Sequence, residues 1–286
     1  MNVLKAAYEE LVFGGHLLAL GTASIAASAA FILGMTPAWN LLLMAYLFSF
    51  GAYSVNRLSD YEEDSVSNPG RTSYLASRRR LLPIVSGLSF GIGYALAILR
   101  NLAFFAGLLV PLLLAVAYSF GSKSMGRVLG MNRLKEGFLI KNIAISFGWS
   151  LIPVLVGLYY LQLPIALVAF CPFIFMRLMV NTVFFDIRDV EADIKYGVKT
   201  LPGSLGLGAS WRFMDIVDAL SCVYVVTLFL AGVFPLFVGL LVIFTPYSMI
   251  YRHYARKTSK HKDALRDFAA DGEYIIWGLV TYLGRI

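Results

Sequence analysis

Charge is scarce in this chain: Asp, Glu, Lys and Arg make up 14% of its 286 residues, where soluble domains carry about a quarter. That deficit excludes an ordinary water-soluble domain. The only two cysteines, Cys171 and Cys222, lie inside apolar runs, which leaves no basis for a disulfide framework, a Cys-x-x-Cys redox pair or a zinc knuckle. No Gly/Ser-rich or Pro-rich linker and no low-complexity tract interrupts the sequence, so residues 1–286 read as a single domain. What is abundant is apolar: 59% of residues are hydrophobic and the mean hydropathy is +0.73. The chain is built for a bilayer.

Crossing about 30 Å of hydrocarbon takes roughly 20 apolar residues. Nine candidate spans result, at 13–34, 37–55, 81–99, 102–120, 138–160, 163–185, 211–231, 233–251 and 272–285. A signal peptide is the competing reading of the first, but Glu9 and Glu10 follow Lys5 and the apolar run is too long. Connections after odd-numbered spans are short, and those after even-numbered spans are long and polar. Counted by side, 21 of the 24 Lys and Arg residues share the face of the N-terminus and the long loops, which makes that face cytoplasmic. The net charge of +7 is thus explained by topology, and nucleic acid is not an expected partner. All 17 acids also fall on or near that face, which orientation alone does not require.

Two of the polar segments carry acids at helical spacing. Asn56, Asp60 and Asp64 advance by only about 40° per four-residue step on a helix, so three oxygen ligands share one face. Asp186, Asp189 and Asp193 form a second stripe after the sixth span. A single stripe reads first as a solvated helix end; two at corresponding helix ends, each followed by bases, read as a site shared by two related halves. Stacked carboxylates repel one another and call for cations, and oxygen ligands without His or Cys favour Mg²⁺. Such an ion keeps positions open for substrate phosphates, which makes Arg71, Lys123, Lys135, Lys141 and Lys199 candidate phosphate binders, with Asn142 beside Lys141. Arg177 and Asn181, one turn apart inside the sixth span, are either substrate-facing or an interhelical bond.

The stripe Asn56-xxx-Asp60-xxx-Asp64, the later Asp186, Asp189 and Asp193, and Gly197-Val-Lys199-Thr-Leu-Pro202 together resemble the UbiA superfamily of intramembrane prenyltransferases. The resemblance implies an all-α bundle of nine transmembrane helices under a cytoplasmic cap formed by the loops after helices two and six. It implies two Mg²⁺ ions bridging an isoprenoid diphosphate, held by Asn56, Asp60, Asp64, Asp186, Asp189 and Asp193, with Tyr118, Lys123 and Arg71 matching further site residues. Three departures stand out: Tyr118 and Lys123 are five residues apart, an Arg-Pro near the first helix is replaced around His16, and Arg57 stands where many relatives have Asp.

The expected function is therefore Mg²⁺-dependent transfer of a prenyl group from an allylic diphosphate to an aromatic quinone precursor or a lipid-type acceptor, with release of diphosphate. Asp60, Asp64, Asp189, Asp193, Tyr118 and Lys123 are the expected catalytic set. The alternative is a cation transporter using the two acidic helix ends, although transport favours ionisable groups near mid-membrane. A non-catalytic lipid-binding scaffold on the same site is the third reading.

Overall fold

Apolar segments in hydrocarbon have no water to bond, so each backbone N–H and C=O must find its partner within its own segment, and helices result. The computed structural model describes residues 3–119, 137–257 and 263–286, except the side chains of 115–119 and 263–266, and every regular element among them is a helix. In chain order these are α1 (Val3–Phe13), α2 (His16–Ile32), α3 (Trp39–Ser59), α4 (Tyr61–Ser67), α5 (Pro69–Ala76), α6 (Leu82–Arg100), α7 (Leu102–Ser119), α8 (Ile140–Tyr160), α9 (Ile165–Lys195), α10 (Leu201–Leu230), α11 (Leu236–Lys257) and α12 (Asp263–Leu283). Prolines mark several starts: Pro69, Pro83 and Pro202 lie in first turns, and Pro164 and Pro235 precede theirs.

Six helices (α3, α6, α8, α9, α10 and α11) are long and apolar enough to cross a membrane, and the α1–α2 pair, bent by 57°, makes up to seven. The expected count of nine is not reached by this measure among the described residues. α7 is apolar over Leu102–Leu114, and α12 carries Asp267, Asp271 and Glu273 in its first half. The sixth expected span, 163–185, continues without a break to Lys195, so the second acidic stripe is the end of a membrane helix and not a loop. Of the two expected cap segments only the first forms separate short helices, α4 and α5.

α9 is the pillar of the bundle and packs on α2, α4, α8 and α10, while α2 lies between α3 and α12. Gly21 permits that last approach: a Cβ there would lie 3.1 Å from Cβ of Tyr274. Ile25, Met44, Phe170, Phe173, Phe244 and Trp277 fill the core, held by close packing because lipid offers no hydrophobic drive between helices. Leu99, Leu102, Ile165 and Leu230 point outward, as a lipid-facing surface requires. The bend between α1 and α2 falls at Gly15, whose φ of 90° suits glycine. Arg57 from α3 donates to the carbonyls of Phe13 and, at 3.1 Å, Val12 at the broken helix end, where Val12 O also accepts Gly15 N–H at 3.2 Å.

Candidate active site

The first acidic stripe survives a break in the helix. Asp60 ends α3 and starts α4 with φ −100° and ψ 13°, yet Asp60 N–H bonds Asn56 O at 2.9 Å and Asp64 N–H bonds Asp60 O at 2.8 Å. The four-residue bonding thus continues through the break and keeps the three side chains on one wall. Asn68 then caps α5, its side-chain oxygen accepting Arg71 N–H at 3.0 Å, with Pro69 opening the helix. This tight turn returns the Arg71 guanidinium to the Asp64 carboxylate, and the two pair. Burial raises the Asp64 carboxyl above its ordinary range while Arg71 opposes the shift.

α4 packs directly on α9 and so brings the second stripe opposite the first. Lys141 from α8 bridges that stripe, 2.8 Å from Asp186 and 3.4 Å from Asp193, and the neighbouring Asn142 donates to Asp186 at 2.7 Å. Arg188 grips Asp189 through Nε at 2.8 Å and Nη2 at 3.2 Å, and its Nη1 reaches Asp267 of α12 at 3.2 Å. Tyr8 of α1 donates to the other Asp267 oxygen at 2.8 Å. α12 thereby supplies a third wall that the two-stripe reading did not include.

These side chains surround a chamber of about 160 Å³, lined by Asp60, Glu63, Asp64, Asp186, Asp189, Asp193, Asp267 and Asp271 against Arg57, Arg71, Lys141 and Arg188. Eight acids face four bases, so the lining alone carries excess negative charge that a bound cation offsets. The donor set fits a hard divalent ion: no His or Cys is among it, and Asp193 Oδ2 and Asn142 Oδ1 are buried without a hydrogen-bond partner. Among the described residues no three acidic, His or Cys side chains close on a common metal position; Arg71, Lys141 and Arg188 engage the carboxylates instead.

A second cavity of about 310 Å³ lies deeper and is mostly apolar, with Met44, Phe48, Tyr94, Phe104 and Trp149 in its walls. Tyr53, Asn56 and Ile145 line both cavities. A polar, cation-demanding space therefore adjoins an apolar one across a shared neck.

The six residues expected to ligate metal all line the chamber, as do Arg71 and Lys141, and Asn142 reaches it through Asp186. Lys123 and Lys135 lie outside the described residues; Tyr118 is in α7, with its side chain outside the description. Lys199 is exposed and does not line the chamber. Arg177 is elsewhere too: fully buried, it pairs with Asp218 of α10 and with Glu273 of α12 at 2.6 Å, and donates to Phe244 O at 3.0 Å. Asp218 also takes Arg252 and the Ser248 hydroxyl of α11. Asn181, expected beside Arg177, lines the chamber and bonds Ala270 O at 3.2 Å and Asp271 at 3.3 Å. His16 joins α1, α2 and α3, lying 2.5 Å from the Tyr46 hydroxyl, 3.4 Å from Glu10 and stacked on Phe50.

The fold and this polar site within it define a multi-pass membrane protein whose helices enclose a polar chamber. The model of the UbiA prenyltransferase family matches residues 16–277, and the chain belongs to that family of prenyl-transferring enzymes. A digeranylgeranylglyceryl phosphate synthase of Sulfurisphaera tokodaii is 25% identical over 255 residues, 84% of each chain. One of Thermococcus gammatolerans is 29% identical over 180 residues, 61% of this chain and 60% of that relative, so here the match spans less than two thirds of the relative's length. Among solved structures, a UbiA homologue of Archaeoglobus fulgidus bound to GPP and Mg²⁺ superposes with a TM-score of 0.68 at 17% identity, covering 96% of this chain and 98% of that one.

Proposed function

We propose that this protein transfers a prenyl group from an allylic isoprenoid diphosphate to the free hydroxyl of a prenylated glyceryl phosphate, with Mg²⁺ as cofactor and diphosphate as the second product. The observation that carries the reading is the meeting of the acidic chamber and the apolar cavity at Tyr53, Asn56 and Ile145. That shape suits one molecule with an anionic head and a hydrocarbon tail. The relatives' names support the lipid acceptor over an aromatic one, and the GPP and Mg²⁺ bound by the A. fulgidus homologue support the donor and the ion.

In this reading Asn56, Asp60, Asp64, Asp186, Asp189 and Asp193 hold two ions. Bound Mg²⁺ neutralises the charge that develops on the departing diphosphate. Lys141 and Arg71, already on the chamber wall, hold diphosphate oxygens, and Asn142 orients Asp186. Tyr118 of α7, and Lys123 and Lys135 further along the sequence, are assigned to the same head group. Phe48, Tyr94, Phe104 and Trp149 exclude water from the chain, and their ring faces shelter positive charge at the allylic carbon. Residues 1–286 act as one domain of nine spans, α7 and α12 completing the count, with the N-terminus and the chamber mouth, capped by the segments after spans two and six, on the cytoplasmic side.

The test uses the full chain in liposomes with Mg²⁺ and GPP, offered either geranylgeranylglyceryl phosphate or a hydroxybenzoate, with products weighed by mass spectrometry. A prenyl ether formed only with the lipid acceptor is the expected result. A prenylated aromatic would reassign the acceptor, and absence of diphosphate release across a panel of donors would overturn the reading.

A further inference from the structure

The transfer proposed above releases a proton as well as diphosphate. The C–O bond of the allylic diphosphate breaks with its electron pair leaving on diphosphate. The acceptor hydroxyl oxygen bonds the allylic carbon, and its proton must go to a base. The carboxylates engaged by Arg71, Lys141 and Arg188 are poor choices, since a paired anion gives up its pairing energy when protonated. Asp186, Asp193 and Asp267 are buried in the chamber wall, and each has a Lys or Arg partner.

Asp271 differs. It is 8% exposed, lines the same chamber, and among the described residues has no ion-pair partner. The Asn181 amide donates to its Oδ1 at 3.3 Å. An amide orients a carboxylate without neutralising it, so this carboxylate of the chamber lining keeps its basicity. Position agrees with this. Asn181 is fixed in turn by Ala270 O at 3.2 Å, so the carboxylate sits on a braced turn of α12. Three residues on, and thus on the same face, Tyr274 packs its ring 5.5 Å from Trp149, which lines the apolar cavity. Asp271 therefore stands where the polar chamber borders the space assigned to the prenyl chain.

We infer that Asp271 is the catalytic base of the transfer, its carboxylate accepting the acceptor's hydroxyl proton as the ether bond forms, while Asn181 positions it. The inference rests on the proposed prenyl transfer. Its role is separate from ionisation of the donor, which the opposite walls carry out.

The experiment separates the two half-events. Full-length wild type, Asp271→Asn and Asp271→Ala are placed in liposomes with GPP and Mg²⁺, with and without geranylgeranylglyceryl phosphate; ether product, diphosphate release and thermal unfolding are read. The expected result is a loss of ether formation of about 10²-fold or more, the usual contribution of a positioned base. Acceptor-free release of diphosphate as prenyl alcohol should stay at the wild-type rate. Added formate should restore ether formation to Asp271→Ala, a response that a purely structural role would not give. Ether formation near the wild-type rate in Asp271→Asn, parallel loss of acceptor-free diphosphate release, or failure of formate to rescue a folded Asp271→Ala would each overturn the inference. Absence of ether in wild type itself would instead count against the proposed acceptor.

Discussion

The chamber and the Arg177 cluster both put charge inside a bundle made for hydrocarbon, and they do so in opposite ways. Around Arg177 two guanidiniums, Arg177 and Arg252, meet two carboxylates, Asp218 and Glu273, all buried to within 2% exposure. The charges cancel, and neither of the two cavities described reaches Arg177 or Asp218. Four helices (α9, α10, α11 and α12) are fastened there. In the chamber the acids outnumber the bases two to one around open space. Balance without room makes a fastener; imbalance with room makes a binding site. Buried charge inside a membrane protein is therefore not by itself a sign of catalysis: the sign is charge left over beside a cavity.

That contrast can be broken by substitution. The largest expected effect is in the chamber: Asp193→Ala or Asp60→Ala should lower prenyl transfer by roughly a thousandfold, the several kcal/mol that a held cation contributes. Thermal unfolding should stay near that of wild type, and chelation of Mg²⁺ should reproduce the loss in the unmodified protein. Full activity in both variants would remove the chamber's role.

Arg177→Met should do the reverse. It leaves Asp218 and Glu273 without their shared partner and should cost about 3–5 kcal/mol of stability, read as a lower unfolding temperature in detergent. The molecules that remain folded should bind donor normally. An Arg177→Met protein of wild-type stability but reduced donor affinity would place Arg177 among the substrate residues after all.

Lys141→Gln tests the border between the two kinds of charge, because Lys141 is both a partner of Asp186 and Asp193 and a chamber wall. Loss of a charged hydrogen-bond donor should raise the donor KM about tenfold. The smallest effect belongs to Arg79→Ala. This exposed side chain lies over the Tyr61 ring at 4.9 Å, and its removal should shift stability by no more than about 0.5 kcal/mol, with activity unchanged.

Much of this contrast was legible before any coordinates. Four-residue spacing put Asn56, Asp60 and Asp64 on one face, and steps of three and four residues put Asp186, Asp189 and Asp193 on another; the structure sets both around one chamber. The period did not announce the break at Asp60, because hydrogen bonding runs through it. The third wall was missed for a different reason. A hydropathy window starts the last span at 272, just past Asp267 and Asp271, and so files both acids with a polar loop. Yet the sequence reads Asp263-xxx-Asp267-xxx-Asp271, the same four-residue signature as the first stripe. The partners of Arg177 carried no such signal. Asp218 and Glu273 are 41 and 96 residues away in the chain, and only the packing of α10 and α12 on their neighbours brings them in. The count of spans also depended on tertiary context, since α12 buries charge that a composition rule penalises.

Arg57 sits one residue from Asn56 in α3, and its guanidinium ties up the frayed carbonyl end of α1. Adjacent positions on a helix are about 100° apart, so one rigid rod offers a ligand to the chamber and a clasp to the N-terminal segment at the same depth. Any roll of that rod swings both together. The opening stretch of the polypeptide is thereby geared to the wall that faces the reacting head group, and an acid at position 57 would free the gear without touching a single carboxylate.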